Sequence, residues 1–137
     1  MSACFFLAWA GYVVVTFGLG FVWHLVLFKD TYRKLAIFSR IDDPIIPLGL
    51  SAMLIQGAIL AYLFPFIQQD GSIWMEGLRF GGILGLFIAS SAVIAEAAKQ
   101  RVASLSKWLL LESTYYLIQF SLAGITIAAA YSRCATN

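Results

Sequence analysis

Charged side chains are scarce in this sequence. They make up 12% of its 137 residues, against 61% hydrophobic ones, whereas soluble domains carry about a quarter charged. A soluble core of this length has no room to hide so much apolar surface, so a water-soluble class is excluded. Cysteine occurs twice and histidine once, and no zinc, thioredoxin-like or catalytic cysteine pattern is present. A Gly-rich phosphate loop and a serine nucleophile elbow are also missing, and with them the common nucleotide-binding and hydrolase signatures. The formal net charge of +2 is too small to argue for a nucleic-acid partner. No enzymatic activity is expected from this inventory.

What is there is long apolar stretches. Four of them, at about 3–28, 45–67, 80–98 and 108–131, each approach or exceed the roughly 20 residues that a helix needs to span a bilayer. Each reads as helix, because an open strand would leave backbone groups unpaired in hydrocarbon. The expected fold class is all-α: a polytopic membrane protein, one domain over residues 1–137, forming a four-transmembrane-helix bundle. The first stretch is too long for a signal peptide and lacks a basic leading region, and its small-x-small site, Ala8-Trp9-Ala10, comes too early for cleavage. It is therefore expected to stay as mature structure.

The cations set a direction. Lys29, Arg33, Lys34 and Arg40 in the first connection, with Lys99, Arg101 and Lys107 in the third, account for seven of the nine Lys and Arg residues. In a four-span chain these connections share a side, so the positive-inside rule predicts both in the cytoplasm and both termini outside, most simply in a bacterial inner membrane. Aromatic residues fit two belts: Phe5, Trp9, Tyr62, Phe66, Trp74 and Tyr131 at the outer boundary, Trp23, Phe28, Tyr32 and Trp108 at the inner one. Residues 29–43 have the pattern of a short amphipathic helix on the inner surface, facing anionic lipid with Arg33, Lys34 and Arg40. Asp42-Asp43-Pro44 is expected to cap and start the second span.

Helices in lipid associate through close backbone approach and polar contacts. Gly77, Gly81, Gly85 and Ala89 recur every four residues, with Gly82 beside them. This stripe predicts either a packing seam inside the bundle or an interface for a second chain. Gln56 and Gln119 fall near mid-membrane and are candidates to pair with each other, a contact worth on the order of 1 kcal/mol.

Ionisable groups within a span are functional candidates, and there are three: His24, Glu96 and Glu112. All lie within about 8 Å of the inner ends of their helices. Glu112, Tyr115 and Gln119 are spaced to share a helix face. One reading gathers His24, Glu96, Glu112, Tyr115, Gln119 and Gln56 into a polar cavity that binds a cation or relays protons. The other has the glutamates reaching the interface or pairing with Lys99, Arg101 or Lys107, and His24 making an interhelical hydrogen bond. A third lets His24 ligate a haem or pigment shared with a partner, although one histidine forbids bis-histidine ligation within the chain. A divalent metal lacks the diagnostic spacing. Cys4 and Cys134 share the outer face, as free thiols or as a disulfide if the first and fourth spans are neighbours.

The order Gly20-Phe21-Val22-Trp23-His24, then Leu27-Phe28-Lys29-Asp30 and Tyr32, resembles the signature region of small four-helix bacterial membrane proteins classed as domains of unknown function. The segment Leu110-Leu111-Glu112-Ser113-Thr114-Tyr115-Tyr116-Leu117, followed by Gly124, is similar to their closing segment. His24 stands where those proteins commonly carry tyrosine. The resemblance implies a four-helix fold and no particular activity. The leading functional expectation is a non-enzymatic subunit or accessory protein packing against other transmembrane chains, in contact with membrane lipids. The alternative is a small homo-oligomeric transporter or channel that uses the acidic residues.

Overall fold

The computed structural model describes residues 3–67 and 71–135, and every regular element among them is helical. Helix α1 (Ala3–Phe21) runs on through one wider turn, Val22–Leu27. A short α2 (Lys29–Leu35) follows, then α3 (Ile46–Ile67). Helix α4 (Ile73–Ala89) continues through a second wide turn, Ser90–Ala95, into α5 (Glu96–Lys99), and α6 (Leu105–Ala135) closes the chain. Four segments are long and apolar enough to cross a membrane: Ala3–Leu27, Ile46–Ile67, Ile73–Lys99 and Leu105–Cys134. The protein is thus a polytopic membrane protein built as a four-helix bundle.

The third span starts at Ile73, earlier than the apolar run near residue 80. Ser72 sets that start, its hydroxyl accepting from the Met75 amide at 3.2 Å, a cap that satisfies one of the free amides of a helix start. Glu76 and Arg79 consequently lie within the helix, where long polar side chains near an end can still reach the interface. The second span departs from expectation in the opposite sense. Asp42 and Pro44 stay outside it; the Ile45 carbonyl takes the first helical bond, from Gly49 N at 3.2 Å, and Pro47 sits in the first turn, where a missing N–H is harmless.

Helix α6 is the hub. It packs along α4 on one side and α1 on the other, while α3 lies mainly against α1. The contact with α4 explains the glycine stripe. A Cβ on Gly81 would overlap the Phe120 carbonyl oxygen, and one on Gly124 would overlap that of Gly77, so the two backbones touch. Gly77, Gly85 and Ala89 are buried in the same seam. The seam is internal to the bundle. Gly82 is not part of it, with nothing within 4 Å of where its Cβ would be. Such closeness gives dispersion contacts that leucine-like lipid tails cannot out-compete.

Two cores result. One lies toward the chain termini, where Tyr12, Phe64, Phe80, Phe120 and Ile127 meet; there the Tyr131 hydroxyl donates to the Ala61 carbonyl at 2.7 Å, tying α6 to α3. The other lies at the opposite end, which carries the seven clustered cations and is called the basic end below. It contains Tyr32, Leu35, Ile37, Val93 and Trp108. Helix α2 docks its apolar face onto the bundle and leaves Arg33 and Lys34 exposed, and Tyr32 and Trp108, assigned from sequence to an interfacial belt, are buried. The chain leaves α2 through Ala36, whose φ of 58° is left-handed, and the Leu35 carbonyl accepts from Ala103 N at 3.0 Å.

Cys4 and Cys134 are unbridged thiols whose side chains meet, as the neighbouring first and fourth helices require. Two outcomes check this fold. A short thiol-to-thiol crosslinker should join Cys4 to Cys134 within one chain, read as a circularised mass in denaturing electrophoresis and peptide mapping. Gly81→Val should destabilise the protein by about 1–3 kcal/mol through forced overpacking, whereas Gly82→Val should leave detergent unfolding curves unchanged.

Candidate functional site

On α6, Trp108, Glu112, Tyr115 and Gln119 recur at helical spacing and form a buried stripe, with Trp108 Nε1 donating to the Val93 carbonyl of the third span at 3.0 Å. Glu112 is only 2% exposed. An isolated carboxylate there would be strongly disfavoured, and the fold supplies partners from α2 and from the wide turn of the first span. The Tyr32 hydroxyl, from α2, donates to Glu112 Oε2. Trp23 Nε1, from the wide turn of the first span, donates to the Tyr32 oxygen at 3.0 Å. Burial first, and then the neighbouring Glu112, hold the Tyr32 phenol protonated, far above the ordinary phenol range.

His24 completes the set. Its Nδ1 lies 3.1 Å from the Gly20 carbonyl and its Nε2 lies 3.4 Å from Glu112 Oε1. A carbonyl only accepts, so Nδ1 carries a hydrogen. Nε2 then faces the Glu112 carboxyl group. The ring is fixed on both faces: Tyr32 stacks on it at 4.8 Å and Tyr115 meets it edge-on at 4.4 Å. The wide turn sets up this geometry, since the Phe28 amide reaches back five residues to Trp23 O at 3.0 Å, a helix form that recurs at functional positions.

Beside the pair is a cavity of about 380 Å³ between α1, α3 and α6, lined by His24, Gln56, Glu112, Tyr115 and Gln119 among mostly apolar walls. It exists because α3 reaches α6 near the chain termini, through Tyr131 and Phe64, and diverges from it at the basic end. A second cavity of about 700 Å³ shares His24, Phe38 and Gly49 with the first and extends to Arg40, Glu96 and Gln100. Together they lead from the basic end of the bundle to Glu112.

The expected polar residues therefore divide. His24, Glu112, Tyr115, Gln119 and Gln56 line one cavity. Glu96 does not join them; it pairs with Lys99 at 2.9 Å and accepts from Gln100 at 2.9 Å, because it faces the end of the bundle. Gln56 and Gln119 do not pair. Gln56 Oε1 accepts from the Tyr12 hydroxyl at 3.0 Å, and Gln119 Oε1 is buried with no partner among the described residues. Both ring nitrogens of His24 are engaged, so the arrangement does not fit axial ligation of a haem or pigment. No cluster of three or more metal-ligating side chains occurs among the described residues.

Tyr32 and Tyr12 were not foreseen as site residues. The signal for Tyr12 was present: Ala8, Tyr12, Thr16 and Gly20 are buried at intervals of four along α1. Tyr32 gave less, being one apolar-face residue in a segment read as surface.

The geometry defines a class: a four-helix membrane protein with a carboxyl–imidazole pair at the wall of a cleft between its helices. No known protein family, curated protein or solved structure matches the chain, so the functional reading rests on this geometry. Tyr32→Phe should destabilise the protein by about 1–3 kcal/mol, because a buried carboxyl oxygen loses its donor. The same change made in Glu112→Gln should have a smaller effect, and a double-mutant cycle on thermal unfolding in detergent checks it.

Proposed function

We propose that this protein is a small non-enzymatic carrier of the membrane, in which Glu112 and His24 exchange a proton with a ligand held in the adjoining cavity. One observation carries the reading: an acid 2% exposed inside a membrane bundle stands at the wall of a cavity that His24, Gln56 and Gln119 also line. A purely structural acid would be expected to face packed side chains. The gathering of cations at the cavity's open end supports a cytoplasmic opening with the termini outside, in a bacterial inner membrane. Four helices enclose too little space for a path across the bilayer, so the carrier would work as a homo-oligomer. Reconstituted into liposomes with an imposed pH gradient, the protein should drive proton-coupled flux that Glu112→Gln reduces by about a hundredfold, the loss expected when an essential proton site is removed. Equal flux from the variant would defeat the reading.

A second reading, an accessory subunit for another transmembrane chain, is favoured by the second span. Its outward face carries Leu48, Ile55, Ile59, Tyr62 and Phe66, all exposed, and Gly49 is open to close approach. The glycine stripe no longer supports this reading, being used against α6. Migration as a lone monomer in both mild detergent and native membranes would exclude it.

A further inference from the structure

At the end of the bundle away from the acid, the first and last helices bring the two cysteines of the chain together. We propose that Cys4 and Cys134 form a reversible intrachain disulfide, a modification site that draws its oxidising equivalents from an exchangeable disulfide compound and clamps α1 to α6. The inference is independent of the carrier reading.

Helix register sets the two thiols opposite each other. Gly20 faces Tyr115 and Gly11 faces Thr126, so α1 and α6 run antiparallel. A Cβ on Gly11 would stand 2.7 Å from Thr126 Cγ2, which fixes how the two helices are aligned. Cys4 and Cys134 lie about two helical turns beyond that contact, each on its own helix and toward its own end of the chain. Their side chains are within hydrogen-bonding reach of each other. Both are half-buried, open enough for a reagent and held enough to stay paired. The sequence contains no third cysteine, so neither thiol has a competing partner within the chain.

The bridge would act where the second span is attached. Tyr131, one turn before Cys134, donates its hydroxyl to the Ala61 carbonyl of α3 at 2.7 Å and stacks on Phe64 at 5.6 Å. A disulfide therefore joins α1 to α6 where α6 also grips α3, and it fixes three of the four spans at the end opposite the cavity. Because the bridged residues lie near the two ends of the chain, the closed loop takes in almost the whole protein. The freedom removed from the unfolded chain is correspondingly large.

The chemistry balances as two exchanges. One cysteine thiolate attacks a sulfur of the donor disulfide, expelling one donor thiolate and leaving a mixed disulfide. The second cysteine thiolate attacks the protein sulfur of that mixed disulfide and expels the other donor thiolate. Two protein thiols become one disulfide, the donor is reduced to two thiols, and the two protons lost by the cysteines end on the donor sulfurs. Donors of this class belong to compartments outside the cytoplasm, so their access to this end rests on the orientation proposed above. The capacity of the pair to close does not.

The test uses the full chain in phosphatidylcholine nanodiscs, equilibrated with graded mixtures of reduced and oxidised glutathione, quenched with acid, alkylated, and read by mass spectrometry after proteolysis. We expect one transition, in which both cysteines are lost to alkylation together and a crosslinked Cys4–Cys134 peptide appears. Half-oxidation should need a ratio of oxidised glutathione to the square of reduced glutathione at least about a hundredfold lower than for the chain unfolded in dodecyl sulfate and urea. The cause is the effective concentration of one thiol at the other, which the fold raises. By linkage, the oxidised protein should melt at least about 5 °C above the reduced one, whereas Cys4→Ser should melt alike under both conditions. Stable glutathione adducts on both cysteines, bridges between chains, or equal midpoints for the folded and unfolded chain would overturn the proposal. Bridge formation without proton-coupled flux would defeat only the carrier reading, and flux without the bridge would defeat only this inference.

Discussion

A carboxyl group inside a membrane bundle has to be neutralised where it stands, because water is not there to solvate it. Much of the basic end of this protein follows from that constraint on Glu112. Its two oxygens face Tyr32 and His24, which come from different elements. The turn of the first span must widen to present His24 while keeping its Nδ1 on Gly20, and α2 must fold back onto the bundle to bring Tyr32 in. The connection 29–43 is thereby a piece of the core. Ion pairs lie on its outer side, Arg33 with Asp30 at 2.7 Å and Arg33 with Asp42, and the Arg33 guanidinium holds the Asp42 carboxyl below its usual range. Being exposed, they contribute little to stability.

The rest of the architecture is decided by backbone proximity. Where α4 meets α6, glycine faces glycine and the helices touch along their length. Where α3 meets α6, the contact is confined to Tyr131, Phe64 and their neighbours near the chain termini. The same bundle is therefore tight on one side and open on the other. The opening falls beside the acid, and His24, Gln56 and Gln119 also line it. This combination distinguishes the cavity from a packing defect, whose walls would be apolar throughout. It is also why we favour a ligand-exchanging function over a purely architectural one.

Much of this protein was legible in its sequence. Hydrocarbon admits few backbone solutions, so long apolar runs dictated four helices, and the spacing of Gly77, Gly81, Gly85 and Ala89 dictated that one helix face would approach another closely. Glu112, Tyr115 and Gln119 shared a face because α-helical periodicity requires it. What the residues did not declare was partnership. Gln56 and Gln119 are alike in depth and type, yet one amide bonds Tyr12 and the other bonds nothing among the described residues. Glu96 and Glu112 share a depth, yet one faces the end of the bundle and the other its axis. Tyr32, 80 positions from Glu112 in the chain, became the acid's closest donor only because α2 folds back onto the bundle after Phe28. Periodicity and hydropathy act along a single helix and were fixed by the sequence itself; which helix stands against which, where the bundle parts and which buried atom finds a partner depend on rotation and tilt between helices, and those are settled only when all four pack at once.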